Sequence, residues 1–471
     1  MTELHEDRYF DSDSVVRRHA RALYDETRAL PIISPHGHVD AAILARDEPF
    51  ADPASLIVTP DHYILRMLYS RGVPLESLGV APIDGLPPTA ERDPRRIWQT
   101  FADHWQLLRA TPTRAWLEYE LREVFRIDRH LNSGSAQYVY DAISERLTSP
   151  EFRPRALFKR FNIEALATTD AASDALEHHE ALRASELAGR VIPTFRPDAL
   201  FRIASPLWPA EVERLAHVAG ASIGNYAEFV KALVHRRADF KAMGATATDH
   251  AVVVPRTERL QAADAEKLFA RALRGAATED DQSRFEAHLL MEMASMSVED
   301  GLVMQIHAGA LRNHNELVHR RFGPDRGGDI PVATEFTRNL RPLLNSYGND
   351  GRFRLIVFTL DESTYSRELA PLAGHYPALL LGAPWWFHDS IEGMTRFRRH
   401  TTETAGIENT AGFADDTRAF CSIPARHDLA RRVDANYLGG LVARHVIGMP
   451  DAREMAKAMA YDLAKSAYRL T

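Results

Sequence analysis

The chain has 471 residues, 57 basic and 65 acidic side chains, a formal net charge of −8 and 45% hydrophobic residues. This balance is ordinary for a globular protein and argues against nucleic acid as the main partner, because a polyanion selects basic surfaces. The single cysteine, Cys421, rules out an internal disulfide and a thiolate zinc cluster.

The N-terminus, Met1-Thr-Glu-Leu-His-Glu-Asp7, has neither a basic n-region nor an apolar h-region. No run approaches the roughly eighteen apolar residues of a membrane span, so a cytoplasmic location without a membrane partner is expected. Residues 14–28 place Val16, Ala20 and Leu23 at helical spacing, which predicts a helix closing the bottom of a core.

Leu30-Pro-Ile-Ile-Ser-Pro-His36-Gly-His38-Val-Asp40 then reads as a short buried strand ending in a histidine pair. At period two, His36 and His38 point the same way, so both imidazoles can reach one metal ion. Next, Thr59-Pro60-Asp61-His62-Tyr63 has the form of a helix start, with Thr59 as N-cap, Pro60 at the first helical position and Asp61 in the first turn. His62, Tyr63 and Arg66 fall on the first two turns of that helix.

Residues 94–109, 112–126 and 135–147 carry apolar residues at three and four spacing, with Pro or Ser near their starts. Roughly ninety residues of helix after one strand exceed a simple crossover. The expected organisation is therefore residues 1–58 as N-terminal helix and first barrel strand, 59–155 as a helical insertion, and 156–471 as the rest of the barrel.

Beyond the insertion, short apolar runs recur at residues 165–170, 191–196, 245–250, 303–307, 354–360, 378–384 and 410–416, with helical stretches between them. With the first strand they make eight, the pattern of a (β/α)8 barrel. The fold class is an α/β, distorted TIM-type barrel with an all-helical subdomain after the first strand. Nearly every run ends in ionisable or polar groups, among them Asp170, Arg196 with Asp198, Asp249 with His250, His307, Asp361 with Glu362, Trp385 with Trp386, and Asp416 with Arg418. A barrel gathers those ends around one mouth. Residues 452–470 read as a packing helix.

His36 and His38 with Asp416 would make a mononuclear metal site with open positions. Zinc is the default for such ligands, with manganese, cobalt or iron also compatible. The pattern resembles the amidohydrolase superfamily, whose two-metal members add a lysine after the fourth strand and histidines after the fifth and sixth. Here the fourth run ends in Asp249-His250 and the sixth in Asp361-Glu362, and only His307 matches, so a bridged two-metal hydrolase is not expected.

Residues 30–40, Thr59-Pro-Asp-His-Tyr63, Thr168-Thr-Asp170 with Glu177-His178-His179, Pro193-Thr-Phe-Arg-Pro-Asp198, Gln305-Ile-His-Ala-Gly-Ala-Leu-Arg312, Gly323-Pro-Asp-Arg-Gly-Gly-Asp329, Gly382-Ala-Pro-Trp-Trp-Phe-His-Asp389 and Asp416-Thr-Arg418 together resemble the uronate isomerase family. The resemblance covers almost the whole chain in order. It implies aldose–ketose isomerisation of free hexuronates, D-glucuronate to D-fructuronate and D-galacturonate to D-tagaturonate, in hexuronate catabolism.

Such chemistry needs a base at carbon 2, an electrophile at the carbonyl oxygen and a cation for the carboxylate, but no nicotinamide or flavin. The expected base is Tyr63, its phenolate stabilised by Arg418. The competing reading packs Tyr63 under the helices and pairs Arg418 with a neighbouring carboxylate. The electrophile is one divalent metal on His36, His38 and Asp416, with zinc the default, expected to be loosely held or partly dispensable because only three protein ligands are present. His36 and Asp416 could also move a proton between the oxygens on carbons 1 and 2.

Arg196, His307 and Arg312 are the matching positions for the substrate carboxylate and distal hydroxyls, and His62 for a hydroxyl. Trp385 and Trp386 either stack on the sugar or fill the barrel top. The loop 323–329 lacks a Walker lysine and is expected to shape the mouth. Asp249, His250, His178 and His179 are read as supporting residues, the last two pointing about 100° apart on a helix. Two departures stand out: Gly37 sits between the metal histidines, and Ser422-Ile-Pro-Ala-Arg426 replaces a glycine-rich segment. A small-molecule hexuronate and a homo-oligomer are the expected partners. The alternatives are a mononuclear metal-dependent hydrolase and a non-catalytic sugar-acid binding barrel.

Overall fold

In the computed structural model, which describes residues 4–470, the apolar runs form short parallel strands: β1 (Ile32–Ser34), β2 (Ile163–Ala167), β3 (Val191–Ile192), β4 (Ala247–Val252), β5 (Val303–Ala308), β6 (Leu355–Thr359) and β7 (Leu379–Leu381). Met1–Glu3, which belong to the N-terminal sequence reading, and Thr471 lie outside the described residues. Each strand pairs in parallel with the next in sequence, except that β3 reaches β4 only through its continuation. The β2 and β3 runs resume as Asp170–Ala171 and Phe195–Arg196, and the latter joins β4. Between them the ladder continues, with the Thr168 amide donating to Ile192 O at 2.9 Å and the Asp170 amide to Thr194 O at 3.0 Å.

The eighth run is only a parallel bridge from Thr410 to Leu381. It nevertheless closes the ring. The Asp416 amide donates to His36 O at 3.3 Å and the His38 amide to Thr417 O at 2.9 Å. A Cβ on Gly37 would lie 3.4 Å from Thr417 O, so the small residue between the two histidines lets the last run approach the first. The distortion of the barrel has a covalent cause at β1 as well: Pro35 follows Ser34 and has no N–H with which to extend the ladder.

The predicted N-terminal helix is α1 (Ser14–Thr27), capped by the Asp13 carboxylate. Helix α2 (His62–Tyr69) starts two residues later than the sequence pattern suggests. Asp61 is its cap, accepting from the Tyr63 amide at 2.8 Å and the Ile64 amide at 3.3 Å, while the Thr59 hydroxyl donates to Leu78 O. A carboxylate outcompetes a hydroxyl for two amides at once, worth about 1 kcal/mol. Among the described residues, every element between β2 and β1 is helical. Trp98, Phe101, Leu117 and Ile143 from this segment share one buried cluster with Ile32, Ile163 and Val191.

The long helix α3 (Ile423–Ala443) packs along α1, with Gly439 at the crossing. The chain then ends in the helical turns Met449–Lys457, Ala458–Asp462 and Leu463–Ala467, which bury Ala452, Met459 and Leu463 against Leu23 and Leu438. Among the described residues no helix is long and apolar enough to cross a membrane.

Candidate active site

A cavity of about 360 Å³ opens where the barrel strands end. His38, His62, Tyr63, Arg196, Arg312, Trp385, Asp416 and Arg418 all line it. His36 and His307 do not; they are 1% and 3% exposed and form the layer beneath. His307, expected at the substrate, thus stands beneath the cavity wall rather than in it. Its ring stacks on Phe358 at 4.0 Å and on His36 at 4.6 Å, and its Nδ1 lies 2.6 Å from Asp249 Oδ1.

Asp416 is a non-glycine residue at φ +42°, a left-handed conformation that costs free energy and turns its side chain back toward β1. Its Oδ1 lies 3.3 Å from His36 Nε2 and 3.1 Å from His38 Nε2. Ligands held at about 2.0–2.2 Å around one tetrahedral ion stand roughly 3.3–3.6 Å apart, so this spacing fits a shared divalent cation. Asp416 Oδ1 is also buried without a hydrogen-bond partner, which suits a ligand atom. Burial opposes ionisation of Asp416, but attraction to the His36 and His38 imidazoles outweighs it and holds the carboxyl well below its usual range. Burial likewise opposes protonation of His36, yet Asp416 and Asp249 carry its pKa above the ordinary value, whereas burial prevails at His38 and lowers it.

His36, Asp249 and His307 form a second, deeper group of potential ligand atoms. Asp249 is already engaged, by His307 and by Arg196 Nη1 at 3.5 Å.

The predicted pairing of Tyr63 with Arg418 is not what the fold makes. The Tyr63 hydroxyl donates to Asp389 Oδ2 at 2.9 Å, and the cation beside it is Arg426, whose Cζ lies 5.2 Å from the ring centroid. Burial, reinforced by Asp389, pushes the Tyr63 phenol well above 10, so it is protonated at neutral pH. Arg418 instead faces Asp325 at 3.6 Å. Both halves of the competing reading therefore contain something true: Tyr63 is buried and Arg418 has a carboxylate neighbour, while each still lines the cavity.

Arg196 donates through Nε to Asp198 Oδ2 at 2.6 Å, and Arg312 through Nη1 to Asp329 Oδ2 at 2.9 Å. Each guanidinium keeps further N–H groups beyond these bonds. Burial, aided by Arg418, lowers the His62 pKa to about 3, so this imidazole is neutral, and its Nδ1 has no partner. Trp385 stands edge-on to His307 at 4.8 Å, and both Trp385 and Trp386 line the cavity.

Sequence reasoning assigned no role to Asp389, Arg426 or Asp325. The first two close quoted segments, and Asp325 lies within the loop 323–329, which supplies both Asp325 and Asp329 to arginines of the cavity. His250 bonds Gln305 O and His179 bonds Thr168, both outside the cavity.

The family model described as glucuronate isomerase matches residues 1–468. A uronate isomerase of Nostoc punctiforme is 56% identical over 98% of this chain and 98% of its own length, and one of Brucella canis is 53% identical over 99% and 100%. The crystal structure of glucuronate isomerase from Caulobacter crescentus superimposes with a TM-score of 0.96 at 48% identity, covering 99% of this chain and 97% of that one.

Proposed function

This chain belongs to the uronate isomerase family, and we propose that its cavity interconverts free hexuronates, D-glucuronate with D-fructuronate and D-galacturonate with D-tagaturonate. The observation that carries the reading is the meeting, in one cavity, of the His38–Asp416 wall with four arginines, Arg196, Arg202, Arg312 and Arg418. Those arginines suit a carboxylate-bearing substrate. No hydride leaves the sugar in an aldose–ketose isomerisation, so the chemistry calls for neither nicotinamide nor flavin.

The catalytic set we assign is His36, Tyr63, Asp416 and Arg418. Asp416 is ionised and faces the cavity, which suits it to carry the proton from carbon 2 to carbon 1. His36 supports its buried oxygen from below. Arg418 offsets the negative charge that spreads over the oxygens of carbons 1 and 2 as the proton leaves. Arg196 and Arg312 bind the substrate carboxylate and hydroxyls, His62 accepts a hydroxyl proton in a hydrogen bond, and Trp385 covers the sugar. Bound by His36, His38 and Asp416, a divalent ion, for which we favour zinc, supplies a Lewis acid for the carbonyl oxygen.

Residues 59–155 are proposed as an inserted subdomain whose first helix delivers His62 and Tyr63. The single buried thiol, Cys421, suits a cytoplasmic enzyme. Exposed Ile83, Leu86 and Leu317, gathered around Arg321, support a homo-oligomer. The test of function is incubation of the purified protein with each hexuronate in deuterium oxide, followed by NMR. Ketose should form, with deuterium at carbon 2 of the aldose or carbon 1 of the ketose; no ketose from either sugar overturns the reading.

A further inference from the structure

Behind the cavity wall, side chains from three separate elements meet on one oxygen atom. Asp389 Oδ2 accepts from the Tyr63 hydroxyl at 2.9 Å and from Arg426 Nη1 at 2.8 Å. Tyr63 comes from the first turn of α2, Arg426 from the first turn of α3, and Asp389 from the short turn that follows Trp386–His388. Tyr63 and Asp389 are each 6% exposed and Arg426 is 3% exposed. Of the three, only Tyr63 lines the cavity.

Arg426 lies over the Trp116 ring, with Cζ 3.6 Å from the centroid, and its Nη1 also donates to Asp415 O at 3.2 Å. That carbonyl belongs to the peptide leading into Asp416. One guanidinium thus ties the Tyr63 partner to the backbone that sets Asp416.

A plain structural ion pair would account for Arg426 and Asp389, but not for a cavity-lining phenol added to the same oxygen. It also would not account for the second carboxylate oxygen, Oδ1, left buried without a partner. A phenol whose proton points inward offers its oxygen lone pairs to whatever lies in the cavity. A substrate hydroxyl bonded to that oxygen would stand at the head of a two-link chain ending on Asp389.

We infer that Tyr63 and Asp389 form a proton relay for the oxygens of the bound hexuronate, with Asp389 as the transient proton holder. The hydroxyl on carbon 2 loses its proton to Tyr63 oxygen as the original Tyr63 proton moves to Asp389 Oδ2. The reverse motion returns a proton to the oxygen on carbon 1. One O–H bond breaks for each that forms, and no electron leaves the sugar. The relay rests on the isomerase reading and gives Tyr63 a part that its protonated state permits. Burial raises the Asp389 carboxyl to about 6, against the pull of Arg426 and Tyr63, so proton gain and loss there are both accessible near neutrality.

The test is a double-mutant cycle with Asp389→Asn and Tyr63→Phe, read as kcat and KM for D-glucuronate. Each single variant should lower kcat about 100-fold with KM changed less than about 3-fold, and the double variant should be no more than about 3-fold worse than either. Wild-type kcat in Asp389→Asn, or two effects that multiply, overturns the relay. Should Asp389→Asn fail to fold, the wild-type enzyme in mixtures of H2O and D2O decides: a bowed dependence of kcat on deuterium fraction is expected, and a linear one overturns the relay. Absence of ketose with the wild-type protein strikes the isomerase reading itself, whereas ketose formation with multiplying variants strikes only the relay.

Discussion

Arg196 Nε and Asp198 Oδ2 are 2.6 Å apart, and the other oxygen of Asp198 accepts from the Ala251 amide at 3.0 Å. Asp198 is therefore a clamp between two barrel strands, and Arg196 is held flat against it with Asp249 at its far side. A planar fork fixed at two corners presents its remaining N–H groups in one direction, which a lysine ammonium cannot reproduce. Arg196→Lys should raise KM for D-glucuronate about 10- to 100-fold, the loss expected for one or two charge-assisted hydrogen bonds. Steady-state kinetics checks this, and wild-type KM would remove Arg196 from the site.

The metal expectation can be read without turnover. Protein dialysed against zinc should retain about one ion per chain by mass spectrometry, and His38→Asn should lose most of it, because two donors remain where three converge on one point. Equal zinc content in both proteins would place the ion elsewhere. Separately, full turnover after exhaustive chelation would refute the Lewis-acid role.

Glu120 is buried between α3 and the helical segment, and burial raises its carboxyl to about 8 despite a bond to Ser422. Its folded pKa is above the unfolded value of about 4.3. The folded state therefore holds a proton that the unfolded state releases, and stability falls as pH rises from about 4.3 to about 8, then levels off. Glu120→Gln stays neutral throughout. Its melting temperature should exceed that of the wild type by a margin that grows from pH 5 to pH 8, and a margin independent of pH would contradict this origin.

Gly439 tests the packing of the barrel bottom. A Cβ there would lie 2.9 Å from Ala20 N and 3.0 Å from Val16 O, both backbone atoms of α1 that cannot rotate aside. Gly439→Ala should destabilise the protein by about 1–3 kcal/mol in urea unfolding while leaving kcat of the folded enzyme unchanged. No change in stability would mean that α1 can shift along α3 at no cost.

The barrel was legible because each strand is an apolar run of near-uniform composition that ends in polar groups. Burial on both faces writes this pattern directly into the chain. The histidine pair was equally legible, since period two along a strand is a local property of His36 and His38. The family resemblance placed Asp416 with them, and the closing hydrogen bonds from the Asp416 amide to His36 O and from the His38 amide to Thr417 O show how the fold brings the three together.

Partnerships between distant side chains were a different matter. Nothing in residues 59–69 or 416–426 tells which of Arg418 and Arg426 faces Tyr63. The choice depends on the tertiary placement of α3, whose first turn carries Arg426 hundreds of residues from α2 in sequence. Asp61 displaced Thr59 as the cap because of local chemistry, and that much could be read from the residue types. That Asp389, Tyr63 and Arg426 share one oxygen could not, because hydrogen-bond partners are set by three-dimensional proximity and the cost of leaving a buried polar atom unpaired. The sequence by itself thus determined the barrel, its reactive mouth and the histidine pair; only the tertiary structure decided which cation and which carboxylate govern Tyr63.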